Sequence, residues 1–230
     1  MSHPVRVWGL KTPDDNPAVY ARLEGLLTPE EQLRARAFRF DSDRRDYVAA
    51  HALLQSVFAR ELNARPTVIR GAHGKPLVAG ERIDFNLTHT RGYSAVAFSF
   101  SGEVGVDAEH MAIDATTLEL AASVFTAKEN GWLAQQPADQ RKSAFLRLWT
   151  LKEAYIKARG DGLSLDLQSF SFDLNQDIEF DEPATRNHGA WRFHQWSPTP
   201  EHTAAVCWSS ENAIEIIDGH PILFAHQGSS

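Results

Sequence analysis

Apolar residues that alternate with polar ones mark strands in this chain, and apolar residues three or four apart mark helices. Val5-Arg-Val-Trp8 alternates and predicts a first strand. Thr28-Pro-Glu-Glu31 then offers an N-cap hydroxyl, a proline at the first helical position and two acids in the first turn. A helix is expected after it, with Leu33, Ala37 and Phe40 on one side. Residues 47–62 predict a second helix, apolar at Val48, His51, Leu54, Val57 and Phe58. Residues 71–80 read as a turn-rich loop containing Gly74-Lys75-Pro76.

Residues 84–109 carry the clearest strand signal. Phe85, Leu87 and His89 alternate with Asn86, Thr88 and Thr90. Short turns at Arg91-Gly92 and Ser101-Gly102 divide the stretch, which predicts a three-stranded antiparallel meander. Thr126-Ala-Lys-Glu129 has the spacing of a capping box. Pro137 should break the helix that starts there, and a longer one is expected over 143–159, stopped by Gly160 and Gly162. Residues 169–174, 189–196 and 203–208 look like strands. Strands, then helices, then strands again predict an α+β fold.

Composition narrows the class without choosing a function. With 230 residues, 43% of them hydrophobic, the chain can bury its own core, as one large domain or two small ones. One cysteine, Cys207, excludes a disulfide framework and reads as a buried small residue. No apolar run reaches membrane-spanning length and the N-terminus lacks a secretion-signal pattern, so the expectation is a soluble cytoplasmic protein with no membrane partner. A net charge of −7 argues against a nucleic-acid partner. Local basic islands, Arg34, Arg36, Arg39, Arg44 and Arg45 in one and Lys152 with Lys157 in another, suit a small anionic ligand better.

Some residues could carry chemistry. In Gly105-Val-Asp107-Ala-Glu109, positions two apart on a strand share a face roughly 6.6 Å apart. Asp107 and Glu109 would stand side by side, a donor set suited to a hard cation such as Mg²⁺. Taken alone, the pair reads more simply as two solvated acids. On the helix 143–159, Phe145, Leu148, Trp149, Tyr155 and Ile156 form an apolar arc, with Lys152 inside it and Glu153 and Lys157 at its border. That edge could line a pocket, or Glu153 and Lys157 could be an ordinary surface ion pair. His89 and Lys75, judged singly, read as structural and solvated residues. There is no Walker A loop, GxGxxG, GxSxG, HExxH or CxxC pair.

Taken in order, GKPL at 74–77, FNLTHT at 85–90, GVDAE at 105–109, FTAKE at 125–129 and WTLKEAYIKARGDGL at 149–163 form a set. That set resembles the 4'-phosphopantetheinyl transferase superfamily, in its Sfp-type form. The resemblance implies two similar α+β halves, residues 1–104 and 105–230, in a pseudo-twofold arrangement with a cleft between them. It implies a monomeric enzyme that moves the phosphopantetheine arm of coenzyme A onto a serine of an apo acyl or peptidyl carrier protein, with Mg²⁺ as cofactor. By motif, Asp107, Glu109 and Glu153 would ligate the metal, and Glu153 and Lys157 would be catalytic. Lys152, Lys157, His89, Thr88 and Lys75 would bind coenzyme A. Arg44 or Arg45 would meet its 3'-phosphate; Asp46 stands where an arginine is often found, and Thr88 and Thr90 stand where serine is usual. The rival expectations are a non-catalytic binding module of the same fold and a metal-dependent nucleotide hydrolase.

Overall fold

A computed structural model describes residues 3–71, 73–112, 118–162, 165–182 and 190–224. β1 (Val5–Lys11) is followed by the helices α1 (Pro17–Leu26), α2 (Pro29–Arg36) and α3 (Asp41–Leu62). β2 (Val68–Arg70) and β3 (Pro76–Val78) form a small hairpin where the sequence predicts only a loop. Then come β4 (Asp84–Thr90), β5 (Tyr93–Ser99) and β6 (Val104–His110). Beyond them lie α4 (Ala121–Val124), α5 (Ala127–Gln135) and α6 (Arg141–Arg159). β7 (Ser171–Asp173), β8 (Glu179–Asp181), β9 (Arg192–Trp196), β10 (His202–Trp208), β11 (Ile214–Asp218) and α7 (His220–Phe224) complete the described elements. The strand expected from 189 begins at Arg192; residue 189 itself lies outside the described residues.

Both capping boxes form, Thr28 with Glu31 and Thr126 with Glu129. α2 is only eight residues long, however, and the chain turns at Ala37. That turn sets Phe38, not Phe40, against Tyr47, while Leu33 and Phe40 are left 71% and 57% exposed. The single apolar face expected for Leu33, Ala37 and Phe40 is therefore corrected.

The packing is in four layers. β11, β1, β5 and β4 make one sheet, with β1–β11 parallel and the other pairs antiparallel. Leu53 and Phe58 of α3 cover one face of it through Phe85, Val96 and Phe98. Its other face, Val5, Val7, Ala95 and Ala97, meets Val106, Ala108, Ala204 and Val206 of a second sheet, ordered β6-β10-β9. α6 covers the far side of that second sheet, against Ala205 and Cys207. Alanine at the sheet–sheet contact lets the two layers approach closely without strain.

The meander prediction fails at its third strand. β6 does not continue the first sheet; it pairs with β10 in the second. Side chains on the edge of β4 replace the missing ladder: the Val104 N–H donates to Asp84 Oδ2 at 2.7 Å and the Val106 N–H to Asn86 Oδ1 at 3.0 Å. A strand edge satisfied by side chains needs no neighbouring backbone, so the two sheets can diverge there. The chain also crosses back at its end. β11 and α7 join the first sheet and α3, so residues on both sides of the expected boundary at 104/105 contribute to the first sheet.

Candidate active site

The side of β6 turned away from the first sheet faces α6. On that face lie Gly105, Asp107 and Glu109, each two residues from the next. α6 offers Trp149, Glu153 and Lys157, each four apart. Two strand residues advance about 6.6 Å and four helical residues about 6 Å, so the two rows stay in step. Two hydrogen bonds join the rows. The Trp149 indole N–H donates to Glu109 Oε1 at 3.3 Å, and Lys157 Nζ donates to Asp107 Oδ1 at 2.5 Å. The motifs GVDAE and WTLKEAYIK are thus two sides of one ladder, with the strand and the helix running in opposite directions.

Gly105 sets how close the ladder can be. A Cβ there would stand 2.9 Å from Ala158 Cα and closer still to the Ala154 carbonyl oxygen and the Ala158 nitrogen. Only glycine lets the helix backbone rest directly on the strand.

The electrostatics of this face are unbalanced. Burial pushes the Glu109 carboxyl up to about 7, with Asp107 adding to the shift and Trp149 and Lys157 opposing it. Burial and then Asp107 also raise Glu153, against the pull of Lys157. For Lys157 burial disfavours the ammonium, but Asp107, Glu153 and Glu109 together outweigh it and hold the group above its ordinary value. Asp107 is 4% exposed; its Oδ1 takes hydrogen bonds from Lys157 and, at 3.3 Å, from the Thr88 hydroxyl. Its Oδ2 is buried with no partner. Three crowded carboxylates, one with an orphaned oxygen, and a single ammonium facing them fit a hard divalent cation. They do not already converge: among the described residues no three His, Cys, Asp or Glu side chains are gathered at ligating distance around one point. Asp107, Glu109 and Glu153 could hold such an ion only with small side-chain shifts.

His89 stands beyond Thr88 on β4, exposed, with its ring edge-on to Tyr47 at 6.5 Å. Loss of hydration among its neighbours pushes its imidazole below the ordinary value, helped by His51, Lys157 and Arg34 and opposed by Asp46. Arg34, exposed on α2, lies 5.7 Å over the Tyr47 ring. Arg34 and His89 thus make a basic rim around Tyr47, and Lys157, which faces the carboxylates, is near enough to His89 to help lower its pKa. Asp46 instead fastens α3 to the β4–β5 turn, accepting from Thr12 Oγ1 at 2.6 Å and from the Gly92 N–H at 3.1 Å.

Other expected site residues lie elsewhere. Lys152 is 0% exposed, and its ammonium is enclosed by Glu129 and by the carbonyls of Leu167 and Phe170. With no exposed surface and an acceptor for each of its three N–H groups, it is not available to a phosphate. Lys75 donates to Asp84 Oδ2 at 2.5 Å, the Val104 carbonyl at 3.2 Å and the Ala158 carbonyl at 2.8 Å. It fastens the β4–β6 junction to the end of α6 and has no free N–H. Arg44 pairs with Glu24, and Arg45 with Asp15 at 3.1 Å, both on the α1 side of α3. Trp149, by contrast, joins the site although the sequence reading gave it no role there. Trp149 was legible only as apolar, yet its spacing of four from Glu153 was the available signal.

The sequence pattern of the 4'-phosphopantetheinyl transferase superfamily matches residues 103–207, a span that contains both sides of the ladder. The 4'-phosphopantetheinyl transferase HetI of a Nostoc species is 30% identical to the chain over 216 residues, covering 90% of this chain and 88% of that protein. The 4'-phosphopantetheinyl transferase Sfp of Bacillus subtilis is 29% identical over 190 residues, 81% of this chain and 84% of its own. A phosphopantetheinyl transferase of a Thraustochytrium species is 33% identical over 193 residues, 75% of this chain and 67% of its own. With that extent of likeness, the chain belongs to the 4'-phosphopantetheinyl transferase superfamily.

Proposed function

We propose that the protein transfers the 4'-phosphopantetheine arm of coenzyme A to a serine hydroxyl of an apo carrier protein, with Mg²⁺, releasing adenosine 3',5'-bisphosphate. The observation that carries this is the buried, partnerless Oδ2 of Asp107 beside Glu109 and Glu153. Asp107, Glu109 and Glu153 would hold the cation, which neutralises pyrophosphate charge so that a hydroxyl can approach phosphorus.

The remaining work falls to side chains. Lys157 is placed to donate to a pyrophosphate oxygen once its contact with Asp107 is shared. His89 and Arg34 offer donors on the same rim for further phosphate oxygens, and Arg34 replaces Arg44 and Arg45 in that role. Thr88 orients Asp107 through its hydroxyl. Glu153, raised toward neutrality, can accept the proton of the incoming serine. The serine oxygen then bonds to the phosphorus that bears the pantetheine arm, the bond from that phosphorus to the bridging oxygen breaks, and the nucleotide leaves with the electron pair. We further propose that the protein acts as a monomer in the cytoplasm. Among the described residues, no helix is long and apolar enough to cross a membrane.

A panel of apo acyl and peptidyl carrier proteins, incubated with coenzyme A and Mg²⁺, tests this. The expected result is a carrier heavier by one phosphopantetheine arm and an equal amount of released nucleotide. Coenzyme A binding without any carrier gaining mass would favour a non-catalytic module. Nucleotide release without carrier would favour a hydrolase.

A further inference from the structure

We propose that the buried Lys152–Glu129 pair is a positioning device: it fixes the rotation of α6 so that Glu153 and Lys157 face Asp107. The inference rests on that face being the catalytic site. Both side chains are 0% exposed. The ammonium has as many acceptors as protons: Leu167 O at 2.7 Å, Phe170 O at 2.9 Å and Glu129 Oε2 at 3.0 Å. It also stands 4.3 Å from the centre of the Phe170 ring. Glu129 is equally committed, accepting from the Thr126 N–H at 2.8 Å, the Thr126 hydroxyl at 3.0 Å and the Phe172 N–H at 2.9 Å.

Stability alone does not require ions here, because well-packed apolar replacements of a buried pair are often no less stable. Direction is what the ions add. Much of the rest of α6 is buried through Leu148, Leu151, Ala154 and Ala158, whose side-chain contacts are non-directional and tolerate a small rotation. Three acceptors converging on one nitrogen do not. Gly105 sets the distance between helix and strand, and Lys152 sets the angle. Glu153 is the next residue on the same rigid helix, and Lys157 lies four beyond it, so an error in the Lys152 anchor carries to both.

The test compares wild type with the charge-free double variant Lys152→Met/Glu129→Gln and with Lys152→Arg, which keeps the charge but cannot place one nitrogen among three acceptors. Melting temperature, kcat, KM for coenzyme A and the Mg²⁺ dissociation constant by calorimetry are measured for each. Both variants are expected to melt within a few degrees of wild type. Their kcat should fall about 10- to 100-fold, as for roughly an ångström of misplacement, and Mg²⁺ binding should weaken. KM for coenzyme A should hold within about two-fold, since Lys152 touches no ligand. A raised KM with kcat preserved would make Lys152 a phosphate contact and overturn the proposal. Wild-type kcat and Mg²⁺ affinity in a folded variant would reduce the pair to a stability element. If the double variant does not fold, Lys152→Arg decides by the same criteria. Wild type that modifies no carrier would sink the functional reading instead, and the Mg²⁺ titration would still judge the anchor.

Discussion

Gly105→Ala offers a one-methyl test of the ladder. The added Cβ would lie 2.9 Å from Ala158 Cα and nearer to two other backbone atoms of α6. Backbone has no alternative rotamer, so the helix must retreat by about an ångström or the strand must bend. Overpacking of this kind typically costs 1–3 kcal/mol, about 2 kcal/mol here as a central figure. For a protein of this size that lowers the melting temperature by roughly 4–8 °C. The functional loss should be larger than the stability loss implies, because the displaced helix carries Glu153 and Lys157: about 100-fold in kcat for an ångström of misplacement. Transfer to an apo carrier, followed by mass spectrometry at a temperature where circular dichroism shows the variant folded, separates the two effects. Gly105→Ala with wild-type melting and wild-type kcat would refute the close strand–helix contact on which the site geometry depends.

Further outcomes follow from the same geometry. Asp107→Asn should abolish transfer and weaken Mg²⁺ binding by calorimetry, while Lys157, released from its 2.5 Å partner, loses the strongest cause of its raised pKa. Glu109 titrates near 7 when folded against an ordinary 4.5, so the folded state holds its proton more tightly. Its contribution to stability is complete below about 4.5 and is lost as pH rises through 7. A divalent cation reverses this strain, so Mg²⁺ should raise the melting temperature more at pH 8 than at pH 5.5 in scanning fluorimetry. Lys75→Met should leave Asp84 buried and unpaired at the β4–β6 junction, destabilising the protein by about 3 kcal/mol in urea unfolding. Arg34→Ala should raise KM for coenzyme A several-fold, whereas Arg44→Ala should leave it within two-fold, as read by steady-state kinetics.

Local rules of the chain made some of this legible. Thr126 and Glu129 announce a helix start by spacing alone, and Gly160 announces a stop; both hold. The alternation in GVDAE places Asp107 and Glu109 on one face, which also holds. What stayed hidden is long-range. Glu129 has a second role as the partner of Lys152, 23 residues away and on another helix, and nothing in either motif signals it. An apolar arc that includes a lysine reads as a snorkelling side chain, whereas this ammonium is capped inside the core. The departure of β6 from the meander depends on Asp84 and Asn86 standing in for a backbone ladder, and alternation cannot show which partner a strand edge takes. The arginine stretch was ambiguous for the same reason: Arg44 is drawn to Glu24 on α1, a helix absent from the expected elements, and Arg45 to Asp15 just before it. The parallel return of β11 to β1 joins opposite ends of the chain, beyond the reach of any local pattern.

The ladder of Asp107, Glu109, Glu153 and Lys157 is expected to transfer phosphopantetheine to a carrier serine. Intact-mass spectrometry of one apo carrier, treated in parallel with wild type and with Glu153→Gln, addresses it most directly. Wild type should convert the carrier to the mass of its phosphopantetheinylated form only when coenzyme A and Mg²⁺ are both present, and Glu153→Gln, still folded, should leave it unchanged. Conversion at the wild-type rate by Glu153→Gln would contradict it.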